Sequence, residues 1–100
     1  MTPEQLNLWL AHQRYEYPNR PAPPFECPDG YTVSIQASKY HYCSPKQNNQ
    51  AEYYAVELGF PNQIEEELLT FAEEPEDPLD TVYGFVPMAI VCKILTKHGA

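Results

Sequence analysis

The clearest pattern of apolar and polar positions lies near the end of the chain, in residues 81–99 (TVYGFVPMAIVCKILTKHG). Apolar side chains recur there at the i, i+3, i+4 and i+7 spacing of one helical face, and neighbouring positions widen the stripe: Met88, Ile90, Val91, Cys92, Ile94 and Leu95. Pro87 suits a first helical turn, and Gly99 suits a left-handed stop. The pattern predicts a strand over residues 81–85 followed by a helix that ends before Gly99.

A second helical pattern opens the chain. Thr2 can cap a helix, Pro3 fits the first turn, and Gln5 stands three residues after Thr2, which is the spacing of a capping box. Leu6, Trp9, Leu10 and Gln13 then follow at helical spacing. We predict a helix over residues 3–14 that docks on the core through Trp9, because a covered indole ring removes a large apolar area from water.

Five prolines lie between residues 17 and 30, where no helical or strand pattern continues: Pro18, Pro21, Pro23, Pro24 and Pro28. Because proline fixes φ and lacks an N–H, this stretch is predicted to be an extended surface connector. The alternative is a polyproline ligand for an aromatic groove on a partner. The basic cluster that usually flanks such ligands is missing apart from Arg20, so the connector is favoured.

Period-two alternation predicts a hairpin with a long loop. In the first strand, residues 32–38, the apolar positions are Val33, Ile35 and Ala37. The apolar parity then shifts toward Tyr40, which indicates either a bulge near Ser38 or exit of the chain from the sheet. After a polar loop over residues 44–51, alternation resumes in residues 53–60, with Tyr54, Val56, Leu58 and Phe60 predicted to point inward.

A third helix is predicted after Asn62, which stands at capping-box spacing from Glu65. Its buried face would be formed by Ile64, Leu68, Phe71 and Ala72, and it should stop before Pro75. The element order is α-β-β-α-β-α. We therefore predict one α+β domain over residues 1–100, with its core in residues 31–99: a three-stranded, mainly antiparallel sheet, made of the long hairpin plus one strand, covered by three helices.

Charge is distributed unevenly along the chain. The net charge is −8, and no lysine or arginine lies between Lys46 and Lys93, an interval that holds ten acidic residues. Eight of them crowd into one run: Glu65, Glu66, Glu67, Glu73, Glu74, Glu76, Asp77 and Asp80. Such a surface repels nucleic acid and anionic lipid and favours a basic partner, so we predict that this run binds a basic protein surface. The alternative is that the carboxylates only keep the protein soluble.

The sequence contains no apolar run long enough to span a bilayer and no secretory leader, and its three cysteines are an odd number without a close pair. We expect a soluble protein of a reducing cytoplasm. Cys27, His41 and Cys43 could in principle hold a metal, but their spacing matches no paired zinc motif. A serine elbow and a glycine-rich phosphate loop are also missing. We therefore expect no metal, no cofactor and no enzymatic activity.

Aromatic residues of the hairpin form a secondary candidate binding surface: Tyr40, His41, Tyr42 and Tyr53. Lys39 and Lys46 interleave with them, which is the composition of a surface on which bases stack. The net negative charge argues against direct binding of nucleic acid as the main role. Packing of the tyrosines against the core is the favoured alternative.

Three stretches carry a resemblance: TVSIQASKYHYCSPK, VELGFP and TVYGFVPMAIVCKILTKHG, which together cover most of residues 31–99. The chain resembles small, generally uncharacterised proteins encoded by bacteriophages and prophages. In that grouping a Tyr-Cys-Ser-Pro stretch, a Gly-Phe-Pro after a strand and a Val-Pro-led helix ending in Lys-His-Gly recur. The resemblance implies a phage setting inside a host cell, and it supplies no catalytic residue.

Small acidic phage proteins often act by binding and blocking a host protein, and some, such as anti-CRISPR proteins, occupy a nucleic-acid channel as mimics. By that analogy of class we expect an accessory protein that inhibits a host defence or nucleic-acid-handling protein through its acidic face. The alternative is a structural or self-associating module, a homodimer formed through the hairpin's exposed edge or the polar face of the sheet.

Overall fold

The structure is a computed structural model that describes residues 1–18 and 20–100. Asn19, which belongs to the predicted connector, lies outside the described residues. The elements in chain order are α1 (Pro3–Glu16), β1 (Phe25–Glu26), β2 (Thr32–Gln36), β3 (Ala55–Gly59), a 3₁₀ helix (Glu66–Phe71), β4 (Val82–Pro87) and α2 (Met88–Lys97). The predicted α+β class is confirmed, whereas the predicted numbers of strands and α-helices are not.

The sheet has four antiparallel strands in the order β1-β2-β3-β4, one more than predicted. The additional strand is β1, in which Phe25 and Glu26 pair with Val33 and Thr32. Two paired residues among prolines produce no alternation that could be recognised in the sequence. Proline is tolerated beside such a short strand because β1 is an edge strand, so a missing N–H costs no ladder bond on its outer side.

The predicted α-helix after Asn62 is instead a 3₁₀ helix that begins at Glu66. Asn62 does not cap it, because its side chain accepts the N–H of Thr32 at 2.9 Å and donates to the carbonyl of Gly30 at 2.8 Å. The residue before the helix, Glu65, is extended, with φ −116° and ψ 111°. Its carboxylate is engaged by the end of α2, so the backbone at Glu65 does not enter the α conformation.

Burial along the strands confirms the predicted parity of β2 and corrects the ends of β3. Val33, Ile35 and Ala37 are buried. The chain leaves the sheet after Gln36, so the parity shift near Ser38 is an exit from the sheet. On the second strand Val56 and Leu58 point inward as predicted, whereas Tyr54, Phe60 and, in the following segment, Ile64 are exposed. The alternation ends early because Phe60 adopts a left-handed conformation, with φ 50°, that redirects the chain.

A bulge interrupts the pairing of β3 with β4. Val56 pairs with Val86 and Leu58 with Tyr83, which places two residues of β4, Gly84 and Phe85, opposite one residue of β3. Phe85 has φ 53°, a region that favours glycine, and its side chain is half exposed. The bulge thus turns a large aromatic side chain away from the core.

The buried side chains form one cluster that joins the inward positions of the strands to both α-helices. Leu6 and Leu10 are the buried residues of α1, and Trp9 packs its ring edge against Phe25 at 5.2 Å between centroids. The predicted capping box at Thr2 is formed, and Gly99 has the left-handed φ of 95° expected of a helix stop. Both terminal helices therefore match their sequence signals, with α1 two residues longer than predicted.

Tyr31 is fully buried, and its hydroxyl has no hydrogen-bond partner in the part of the chain that the structure describes. Burial also raises the pKa of this phenol above its ordinary value. Because an unsatisfied buried hydroxyl is destabilising, Tyr31→Phe is expected to leave the free energy of unfolding unchanged or raise it by about 1 kcal/mol. Urea denaturation would measure the change.

The matched control is Tyr83→Phe. Tyr83 is equally buried, but its hydroxyl donates to the carbonyl of Pro78 at 2.5 Å. Its loss should therefore lower the free energy of unfolding by about 1 kcal/mol. Equal destabilisation by the two substitutions would mean that the Tyr31 hydroxyl is hydrogen-bonded in solution.

Candidate functional site

The acidic run divides into two parts with different surroundings. In the first part, Glu65 is 6% exposed, and its carboxylate accepts hydrogen bonds from Lys97 Nζ at 2.9 Å and His98 Nε2 at 2.5 Å. Glu67 pairs with Lys93 Nζ at 2.5 Å, and Glu66 is exposed. Glu65 and Glu67 thus neutralise the basic end of α2, and Glu65 lies too deep to contact a partner.

His98 links two carboxylates. Its Nε2 lies 2.5 Å from Glu65 Oε1, and its Nδ1 lies 2.5 Å from Asp29 Oδ2. An ionised carboxylate only accepts hydrogen bonds, so both ring nitrogens donate and the ring is an imidazolium. The ring of Tyr31 stacks on it, with 4.1 Å between centroids and an interplanar angle of 8°. We call Asp29, Glu65, Lys97 and His98 the ion cluster.

The pKa values in the ion cluster follow from these contacts. Burial alone would lower the pKa of His98, but its hydrogen bonds to Asp29 and Glu65 outweigh burial and raise it. Burial alone would raise the pKa of Glu65, but hydrogen bonds from Lys97 and His98 outweigh it and lower the pKa. The pKa of Asp29 is lowered by the backbone N–H of Tyr31 and by His98. Folding therefore favours the ionised form of each of these three side chains, and their contacts fasten α2 to two loops.

The second part of the run, residues 73–80, is an ordered surface loop that we call the acidic loop. Its five carboxylates are exposed, and none forms an ion pair with a cation in the described ranges: Glu73, Glu74, Glu76, Asp77 and Asp80. The loop is held by hydrogen bonds from Asp77 N to Glu74 O, from Asp80 N to Asp77 O and from the buried Tyr83 hydroxyl to Pro78 O. Five unneutralised carboxylates therefore occupy a fixed segment.

The four residues of the secondary candidate binding surface differ in their exposure to solvent. Tyr40 is 78% exposed and Tyr42 is 45% exposed, whereas Tyr53 is buried with its hydroxyl donating to the carbonyl of Gln47 at 2.6 Å. His41 is half-buried, and its Nδ1 lies 2.6 Å from Ser38 Oγ. Tyr53 therefore belongs to the core, and only Tyr40, His41 and Tyr42 are accessible to a partner.

The three cysteines are free thiols, and all are buried. Burial raises the pKa of Cys27, Cys43 and Cys92, so each thiol is protonated and unreactive at neutral pH. Cys43 Sγ donates to the carbonyls of Ser38 and Pro45. Within residues 1–18 and 20–100, no group of three metal-capable side chains could hold an ion, and in the ion cluster both nitrogens of His98 are already engaged.

The ion cluster was missed by the sequence reasoning because its members are far apart in the chain. The sequence pattern places Glu65 at capping-box spacing from Asn62, which is a local relation. The contacts of Glu65 and Asp29 with His98 join segments that are distant in the chain. The remaining signal was the combination of a basic helix end with an acidic segment elsewhere, which could have suggested an ion pair.

Comparisons with protein-family models, with curated proteins and with solved structures find no match for the chain. Among the described residues, no helix has the length and apolar character needed to cross a membrane.

Proposed function

We propose that the chain is a small acidic binding protein whose acidic loop docks on a basic surface of a partner protein. The observation that carries this proposal is the set of five exposed carboxylates in the acidic loop, which have no neutralising cation among the described residues. In the adjoining segment, by contrast, Glu65 and Glu67 are paired. A surface kept only for solubility would usually mix both signs of charge.

The order of the acidic loop also supports binding. Its backbone hydrogen bonds and the contact between Tyr83 and Pro78 hold the backbone that carries the carboxylates before a partner arrives. A partner would then meet a preorganised surface, which reduces the conformational entropy lost on association. Leu79, 46% exposed, adds an apolar contact within the same loop. Complementary charge would mainly accelerate association and select the partner.

The resemblance to phage accessory proteins supplies the setting of the proposal. In a host cell, abundant basic surfaces belong to proteins that handle nucleic acid, including defence nucleases. We propose a protein of that class as the partner, with the acidic loop standing in for nucleic-acid phosphates. Inhibition would follow because the loop and the nucleic acid compete for the same cations.

Self-association is the second candidate function. The edge of β3 is covered by β4, whereas β1 pairs only with Thr32 and Val33, so among the described residues positions 34–36 of β2 keep an open edge. Self-association is favoured by a pair of exposed aromatic side chains that contact each other, Tyr42 and Phe85, with 5.9 Å between ring centroids. Light scattering distinguishes the two candidates, since a dimer formed through these side chains should keep its mass at high salt.

The test of the acidic loop is the variant in which Glu73, Glu74, Glu76 and Asp77 are replaced by their amides. Capture of a partner from host lysate at low salt should be lost, because the attraction is electrostatic. The fold should persist with slightly higher thermal stability at low salt, because repulsion between neighbouring carboxylates is relieved.

The control variant makes the same change in net charge elsewhere, at four exposed glutamates: Glu4, Glu16, Glu26 and Glu52. It should capture the partner as well as the parent protein does. If the loop variant and the control capture equally, the acidic loop is ordinary solvated surface. If both lose capture equally, net charge rather than the loop is responsible.

A further inference from the structure

A groove of about 600 Å³ lies between the end of α1, the proline-rich connector and the hairpin loop. We call it the basic groove. The side chains that give it its chemistry are Arg14, Tyr17, Arg20, Ser38, Tyr40 and His41. No acidic residue lines it among the residues that the structure describes. On a protein of net charge −8 this is an unusual surface.

The cations around the basic groove are not neutralised. Three of the six lysine and arginine residues lie in or beside it, namely Arg14, Arg20 and Lys39, and within the described ranges none of them forms an ion pair with a carboxylate. Arg14 is half-buried. Its Nη2 donates to the carbonyl of Gln50 at 3.1 Å, and its Nη1 is buried without a hydrogen-bond partner among the described residues. A partly desolvated guanidinium without a counter-charge favours an anion nearby.

Aromatic rings accompany these cations. Arg20 lies 5.2 Å from the ring centroid of Tyr17, and Lys39 lies 5.1 Å from that of Tyr40. A cation occupies only one face of a ring, and Tyr40 is 78% exposed, so aromatic surface remains for a planar group to stack on. His41 also lines the groove, and its Nδ1 lies 2.6 Å from Ser38 Oγ. The groove thus combines anion binding with stacking.

We propose that the basic groove binds a small anion that carries a planar ring, of the class of a nucleoside monophosphate. The phosphate would contact the exposed guanidinium group of Arg20, since guanidinium matches phosphate in geometry and charge, and the half-buried guanidinium group of Arg14 would add positive charge to the groove. The base would stack on Tyr40. This site is independent of the proposed binding by the acidic loop, none of whose residues lines the groove.

The overall charge decides between a small anion and a long strand. A polyanion must approach a molecule of net charge −8, and its phosphates beyond the groove would meet acidic surface. A mononucleotide fits within the range of the local cations, because charges more than about 8 Å away are largely screened at physiological salt. The class of ligand is therefore a free nucleotide rather than single-stranded nucleic acid.

The test is an NMR titration of the full chain with adenosine monophosphate, with adenosine, inorganic phosphate and a short oligothymidylate as separate arms. Adenosine monophosphate should give saturable shifts that map to the groove, and it should bind about tenfold more tightly than either adenosine or phosphate alone. Raising the salt concentration should weaken its binding.

Variants assign the two contacts. Arg20→Gln and Tyr40→Ala should each weaken binding of adenosine monophosphate about tenfold. The matched controls are Lys93→Gln and Tyr15→Ala, which remove an exposed cation and an exposed tyrosine outside the groove and should not change binding. All four positions are on the surface, so each variant should fold.

The proposal is overturned if adenosine monophosphate gives no saturable shifts at millimolar concentration, or if the groove variants and their controls bind alike. It is also overturned if phosphate or adenosine alone binds as tightly, since the ligand would then not need both groups. If the oligothymidylate binds more tightly than adenosine monophosphate, the ligand of the groove is single-stranded nucleic acid and the proposal of a free nucleotide is wrong. A synthetic peptide of the acidic loop, EEPEDPLD, that saturates the groove in place of the nucleotide would identify the site as a self-association surface instead.

Discussion

Replacing His98 by alanine is expected to lower the free energy of unfolding by about 3 kcal/mol, although the residue stands near the end of the chain. The His98 side chain is 7% exposed, and it donates to Glu65 and Asp29. Its removal leaves the buried carboxylate of Glu65 with Lys97 as its remaining partner. The loss is large because an ionised group without its partner keeps its desolvation cost. Urea denaturation at neutral pH would measure it.

Two further variants isolate the reason. His12→Ala removes an exposed histidine whose Nε2 lies 3.9 Å from Glu16, a surface contact, so stability should change by at most about 0.5 kcal/mol. Adding Glu65→Gln to His98→Ala removes the carboxylate charge that has lost His98 as its partner. The double variant should therefore be more stable than His98→Ala alone. If the double variant loses as much free energy of unfolding as the two single variants together, His98 and Glu65 are not coupled.

The pH dependence of stability gives an independent signature of the same contact. The pKa of His98 is raised on folding, so its contribution is complete below its ordinary value of 6.5 and is lost as pH rises through the folded value. The pKa of Glu65 is lowered, so its contribution is complete above 4.5 and is lost as pH falls through the folded value. The cluster therefore contributes most between about pH 4.5 and 6.5. In the parent protein the free energy of unfolding should decline as pH rises above about 6.5, and His98→Ala should abolish this decline. If the free energy of unfolding depends on pH in the same way in both proteins, the decline does not come from His98.

Elements with strong local signals could be predicted from the sequence. The capping box at Thr2 and the apolar stripe that ends at Gly99 define α1 and α2, because the relevant interactions lie within one helix or one face. The buried positions of β2 were also predictable, since alternation reports directly which face is inward.

Elements that depend on contacts between distant segments could not be predicted. Glu65 appeared as a helix-capping glutamate, but its contacts with Lys97 and His98 hold its backbone extended and leave only a 3₁₀ helix after it. The bulge at Phe85 depends on the register of β4 against β3, which no local pattern specifies. Tertiary contacts overrode local propensity in both places.

The candidate sites show the same difference between local patterns, which could be predicted, and contacts between distant segments, which could not. The excess of acidic residues was visible in the sequence. Within the described part of the chain, the structure shows that the carboxylates of the acidic loop form no ion pair, whereas Glu65 and Glu67 are paired. Only part of the basic groove could be predicted from the sequence. Tyr40 and Lys39 were noted as neighbours in the chain, whereas Arg14 and Arg20 come from α1 and the connector, and the fold brings them to the same groove.

The fold leads to one further prediction with a large effect, at the centre of the sheet. Ile35 is 1% exposed, and it pairs with Leu58 on the neighbouring strand, so both side chains lie in the core. An aspartate at this position would place a charge among apolar side chains with no partner. Ile35→Asp should therefore lower the free energy of unfolding by more than about 4 kcal/mol, a large part of the total stability of a domain of this size.

The adjacent position provides the control for this prediction. Gln36 points to the other face of β2, where its side chain donates to the carbonyl of Ala22 and to the hydroxyl of Ser34, each at 3.2 Å. Gln36→Asp loses these two hydrogen bonds but buries no charge, so it should cost about 1 kcal/mol. Circular dichroism with urea denaturation measures both variants. A larger loss for Gln36→Asp than for Ile35→Asp would mean that the strand presents its faces in the opposite sense, because a shift of one residue exchanges every inward and outward side chain. Equal losses would contradict the burial of Ile35 alone.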